Sequence, residues 1–135
     1  MDSGEHWSRI GQSVFQGLSI QCIVPTAANN GNAVLVATNS YTAGAAAKRV
    51  PAKGGIYRSE DGGITWKRIS GSDRLSDSGV TDLALHPGSN RHYAAVSGDF
   101  DANHDAKDND PVPRSDKGIY QSSDNGETWL QLTKA

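Results

Sequence analysis

Residues 55–66 read GIYRSEDGGITW, and residues 118–129 read GIYQSSDNGETW. Gly55, Ile56, Tyr57, Ser59, Asp61, Gly63, Thr65 and Trp66 return as Gly118, Ile119, Tyr120, Ser122, Asp124, Gly126, Thr128 and Trp129, eight identities in twelve positions at an offset of 63. Self-similarity at such a period marks a repeat architecture, in which each unit buries its apolar face only against its neighbours. A third, truncated copy opens the chain. Asp2, Gly4 and Trp7 keep the Asp-x-Gly-x-x-Trp spacing, with His6 where the other copies have Thr.

Between these motifs the same order of short runs appears twice. Residues 19–24, 34–38, 55–59 and 66–69 are matched by 80–85, 93–97, 118–122 and 129–132. The runs are rich in β-branched and aromatic residues and are bounded by Gly, Asn, Asp, Ser or Pro, so they read as strands. No window shows a helical period. The expectation is an all-β chain of two four-stranded antiparallel units, 13–72 and 73–135. They follow an opening piece, 1–12, whose Trp7-Ser8-Arg9-Ile10 supplies an extra N-terminal strand.

Each motif falls between the third and fourth strands of its unit, so it is a hairpin loop. An Asp side chain accepts hydrogen bonds from turn N–H groups. Gly63 and Gly126 allow a positive φ. The hydroxyls of Ser59, Thr65, Ser122 and Thr128 tie down the loop ends, and Trp66 and Trp129 bury apolar surface where the fourth strand starts. None of these roles needs a substrate.

The 135 residues fit one domain or a piece of one. With 13 basic and 15 acidic residues the formal net charge is −2, too little positive charge for a nucleic-acid partner. The single cysteine, Cys22, sits in an apolar run and reads as a buried, inert thiol. No apolar run reaches the length of a membrane span, and residues 1–11 do not read as a signal peptide.

SEDGGITW and SSDNGETW resemble Asp-boxes, also called BNR repeats, which occur in β-propellers of sialidases, family 74 xyloglucanases and sortilin-type receptors. The run GGIYRSEDGGITWKRI is most similar to the xyloglucanase-like and sortilin-like blades. The resemblance implies that the two units are propeller blades. Rings typically need 4–8 blades, so these would form part of a larger propeller. It further implies that the partners are the remaining blades of a longer chain or identical copies, and that the setting is extracytoplasmic or secreted. Unrelated functions share the box. No catalytic residue of the sialidases or xyloglucanases can be carried over onto a position of this sequence. The leading expectation is a structural and binding module. The alternatives are a fragment of a glycoside hydrolase acting on polysaccharide, and a receptor-like protein-binding propeller. If the parent is an enzyme, it is a glycoside hydrolase.

Binding is expected in the loops between the second and third strands of each unit. One, 39–53, carries Tyr41 beside Lys48, Arg49 and Lys53, an aromatic among cations suited to a sugar or an acidic partner. The other, 98–117, places Asp99, Asp101, Asn103, Asp105 and Asp110 at positions 1, 3, 5, 7 and 12 of a calcium loop. It departs from that pattern with His104 where Gly is expected and with Asp at the twelfth position; a solvated acidic loop is the alternative. Simple alternation puts Asp82 and His86 on one side of their strand with Val80 and Ala84. In a blade that strand lines the channel, which makes Asp82 the candidate for acid–base chemistry. Its counterpart in the other repeat is Cys22, so a second carboxyl is lacking there.

Overall fold

The computed structural model describes residues 4–40, 54–69, 79–96 and 117–132. Within them lie eight strands: β1 (Leu18–Pro25), β2 (Val34–Ser40), β3 (Gly55–Ser59), β4 (Lys67–Ile69), β5 (Val80–Leu85), β6 (His92–Val96), β7 (Gly118–Ser122) and β8 (Leu130–Gln131). They form two four-stranded sheets in the orders β1-β2-β3-β4 and β5-β6-β7-β8, with every neighbouring pair antiparallel. The fold is therefore all-β, in two meanders of the kind that make propeller blades. One 3-10 turn, Ala28–Gly31, joins β1 to β2.

The repeat survives in the register. Leu35 pairs with Arg58, Ala37 with Ile56 and Ile56 with Ile69 in sheet 1; Tyr93 pairs with Gln121 and Ala95 with Ile119 in sheet 2. Period-two alternation then gives each sheet two faces. Val24, Leu35, Ala37, Ile56 and Ile69 of sheet 1 form one core cluster with Val80, Leu83, Ala94, Val96, Tyr120 and Trp129 of sheet 2. The core is thus the seam between the sheets. Each sheet lacks a hydrophobic interior of its own, which is why one unit would not stand alone. Burying Tyr120 and Trp129 there contributes on the order of 4–6 kcal/mol each as an upper bound, from about 25 cal/mol per Å² of apolar surface.

Two expectations need correction. Residues 7–11 form no strand, and Trp7 is 89% exposed. A strand exists only by pairing, and among the described residues no strand pairs with Trp7 to Ile10. Yet the Gly-x-x-Trp half of the truncated motif is formed: Gly4 has φ +90° against +92° at Gly63, and the Trp7 ring lies over it as the Trp66 ring lies over Gly63. The second correction concerns β5. Its register steps from Val80↔Val96 to Asp82↔Ala95, so Thr81 is an extra residue on that strand, a β-bulge. The bulge reverses the alternation. Val80 and Leu83 are buried together, and Asp82 lies on the opposite face from Val80. β1 bulges at the same place, between Ile20 and Cys22.

Candidate functional site

The two box loops are built alike, atom by atom. In the first, the Ser59 hydroxyl donates to Asp61 Oδ1 (2.8 Å) and accepts from the N–H of Gly63 (2.8 Å). Asp61 Oδ1 also accepts from Thr65 N–H (2.8 Å), Asp61 Oδ2 accepts from the Thr65 hydroxyl (2.5 Å), and Trp66 Nε1 donates to Gly63 O (2.9 Å). In the second, Ser122 donates to Asp124 (2.7 Å) and accepts from Gly126 N–H (2.8 Å). Thr128 donates to Asp124 through its N–H (2.9 Å) and hydroxyl (2.5 Å), and Trp129 Nε1 donates to Gly126 O (3.2 Å).

The carboxylates are occupied by these bonds. The Thr65 hydroxyl, then the Thr65 N–H, outweigh desolvation and hold Asp61 down from 3.8 to about 2. At Asp124 burial pushes the carboxyl up, but the Thr128 hydroxyl and N–H, the Ser122 hydroxyl and the Glu127 N–H together bring it below 3.8. Both groups are therefore ionised acceptors that organise a turn, with no proton to give at neutral pH.

The strand one–two connection lies at the same end as the box of its own sheet: Gly62 N–H donates to Asn32 O (2.9 Å) and Asn29 Nδ2 to Glu60 O (3.3 Å). Between the boxes runs a groove of ≈ 480 Å³ lined by residues that include Arg58, Glu60, Trp66, Lys67, Glu127 and Thr128. Arg58, buried, commands it. Its Nε donates to Asn125 O of the other sheet's box (3.3 Å), and its guanidinium pairs with Glu60 and, at 3.4 Å, with Glu127. Both glutamates thus face a cation already tied into the seam. Sequence reading passed over Arg58, because its place in the repeat is taken by Gln121 and a repeat search highlights identities.

His92 is a second residue that the sequence did not single out. It is buried, paired in register with the box serine Ser122, and its Nδ1 lies 3.1 Å from Asn90 O. Burial lowers its pKa below 6.5, against the raising effects of Asn90 O and the Asp124 carboxylate. Its counterpart in sheet 1 is Val34, opposite Ser59.

Asp82 is exposed on β5, and its Oδ1 accepts from Leu83 N–H (2.8 Å). Its repeat counterpart is Cys22, as the register confirms: Cys22 pairs with Ala37 and Asp82 with Ala95. Cys22 is half-buried, not fully buried as expected, and its thiol lies 3.5 Å from Leu83 O. The bulged edge strand keeps it partly open to solvent. Asp2, the binding-loop candidates Tyr41, Lys48, Arg49 and Lys53, and the calcium candidates Asp99, Asp101, Asn103, Asp105 and Asp110 lie outside the described residues. Among the described residues no helix is long and apolar enough to cross a membrane.

No protein-family profile matches the chain. A stretch of 75 residues is 37% identical to a protein of Neosartorya fischeri named as a probable oligoxyloglucan-reducing end-specific xyloglucanase. The match covers 56% of this chain and 8% of that protein. This partial likeness fits a propeller-like, all-β chain.

Proposed function

We propose that the chain is a two-blade segment of an Asp-box β-propeller of the glycoside hydrolase kind, serving as scaffold and polysaccharide-binding module. The observation that carries this reading is the pair of box loops with matching hydrogen bonds, joined to a 75-residue likeness to a xyloglucanase. Asp61 and Asp124 organise turns, and Glu60 and Glu127 pair with Arg58, so the chain contributes architecture and contact more than proton transfer. The ligand is a xyloglucan-type polysaccharide, met through the 39–53 loop with Tyr41, Lys48, Arg49 and Lys53 and through the 98–117 loop. Calcium would be held by Asp99, Asp101, Asn103, Asp105 and Asp110. Further blades, from a longer polypeptide or from other copies, complete the ring.

Affinity electrophoresis through gels containing xyloglucan, with starch and an unrelated protein as controls, tests the reading. Retardation by xyloglucan alone, reduced by Tyr41→Ala, is expected. Equal mobility in all gels, with and without calcium, contradicts it.

A further inference from the structure

The segment before β1 covers sheet 1 much as sheet 1 covers sheet 2. A Cβ on Gly126 would lie 2.6 Å from Leu35 Cδ1; a Cβ on Gly63 would lie 2.5 Å from Ile10 Cδ1. Ile10 thus takes, on the first box, the seat that Leu35 takes on the second. Phe15 stands edge-on to Tyr57, with centroids 5.4 Å apart, and to Trp66, at 5.0 Å. The counterparts of those two rings, Tyr120 and Trp129, are buried in the seam between the sheets. The segment is closed by short turns of its own backbone, from Val14 and Phe15 N–H to Gly11 O and from Leu18 N–H to Phe15 O. Its cover is partial, since Ile10 itself stays exposed.

At the other end of the molecule the outer face of sheet 2 repeats the face that sheet 1 buries. Tyr93, Ala95, Ile119 and Leu132 stand where Leu35, Ala37, Ile56 and Ile69 stand one repeat earlier. Ile56 is 0% exposed and Ile119 41%; Ile69 is 5% exposed and Leu132 51%. The charges change in concert. Inside the seam Arg58 meets Glu127. At the outer positions Gln121 replaces Arg58 and Ile64 replaces Glu127, so bringing the two outer faces together would bury no lone charge at this pair of positions.

We infer that the outer face of sheet 2 docks, head to tail, on sheet 1 of a second copy of this chain, displacing the Ile10–Phe15 cover, which acts as a built-in competitor. The chain already makes one such joint internally, between faces of the same two kinds. Tyr93 would take the seat of Ile10 over Gly63. Asp82 would stand where the Cys22 thiol approaches Leu83 O, placing a carboxylate against a carbonyl, so it weakens the joint. The association is heterologous and would build a ring or an open chain according to its rotation. The inference stands apart from the polysaccharide reading, because its test involves no sugar.

Light scattering during size exclusion, on the full chain across a concentration series, provides that test. Wild type is expected near 14.3 kDa at low concentration. Ile10→Asp with Phe15→Ser should raise the mass to multiples of that value at equal concentration, Asp82→Asn should raise it further, and Ile119→Lys should return it to the monomer. Near-ultraviolet circular dichroism of the tryptophans checks folding. If the double variant unfolds, Phe15→Leu, which keeps an apolar side chain but removes both ring contacts, takes its place. A folded, cover-weakened chain that stays monomeric throughout overturns the inference and leaves the face to a further repeat of a longer polypeptide. An assembly that persists with Ile119→Lys overturns it equally.

Discussion

The side chain of Leu35 rests on the Cα of Gly126, so close that a methyl group there would lie 2.6 Å from Leu35 Cδ1. A loop of one sheet is therefore clamped on the core of the other, and the glycine is needed for two reasons at once. It holds φ +84°, and it leaves room for a buried leucine. Gly126→Ala should destabilise by about 2–4 kcal/mol, strain and overpacking together. Gly62→Ala is the control. It has positive φ but nothing within 4 Å of its Cβ, so about 1–2 kcal/mol is expected. Urea unfolding of both variants checks the difference.

The box serine is the hub of its loop. Ser122 accepts from the buried Gly126 N–H and donates to Asp124. Ser122→Ala leaves that N–H without its acceptor and should cost about 1–3 kcal/mol. Amide exchange at Gly126 should accelerate by a matching factor, while Gly63, in the other loop, stays protected.

Arg58 joins the sheets through a donor that lysine lacks in that geometry. Arg58→Lys loses the bond to Asn125 O and should destabilise by about 1.5–3 kcal/mol, as for hydrogen bonds from charged groups. Glu127→Gln touches only the solvent-facing side of the same guanidinium, and a loss under about 1 kcal/mol is expected. Thermal melts of the two variants in low and high salt separate these contributions, since only the second depends on screening.

Acid should weaken the fold in two stages. His92 has a folded pKa below its unfolded 6.5, so the unfolded chain binds the proton more readily and stability falls as pH drops below 6.5. Asp61, depressed from 3.8 to about 2, contributes stability above 3.8 that is lost as pH falls toward 2. His92→Val, which copies Val34 of the other sheet, should remove the first stage and leave the second. Denaturant midpoints measured across this range check both.

Much of this was legible because the repeat acts as an internal alignment. Gly55 to Ser59 and Gly118 to Ser122 are strands in sequence and in structure, with the same ends. The box bonds follow from residue types that can make few others. What could not be read were the features that alternation or identity hides. The bulge at Thr81 turns Asp82 away from Val80, and no residue type announces it. Arg58 and His92 are important where the repeats differ, at Gln121 and Val34. The opening Trp7-Ser8-Arg9-Ile10 has the composition of a strand, but among the described residues no strand pairs with it. The loops expected to bind ligand fall outside the described residues.

The two sheets stack with a box loop of one on the core of the other. The most direct measurement is the nuclear Overhauser contact between the Leu35 methyls and the Gly126 α protons in a methyl-labelled sample. A strong cross-peak is predicted, together with one between the Ile10 δ methyl and the Gly63 α protons. Well-resolved signals for Leu35 and Gly126 with no cross-peak between them would contradict the stacking, and with it the reading of the two sheets as adjacent blades.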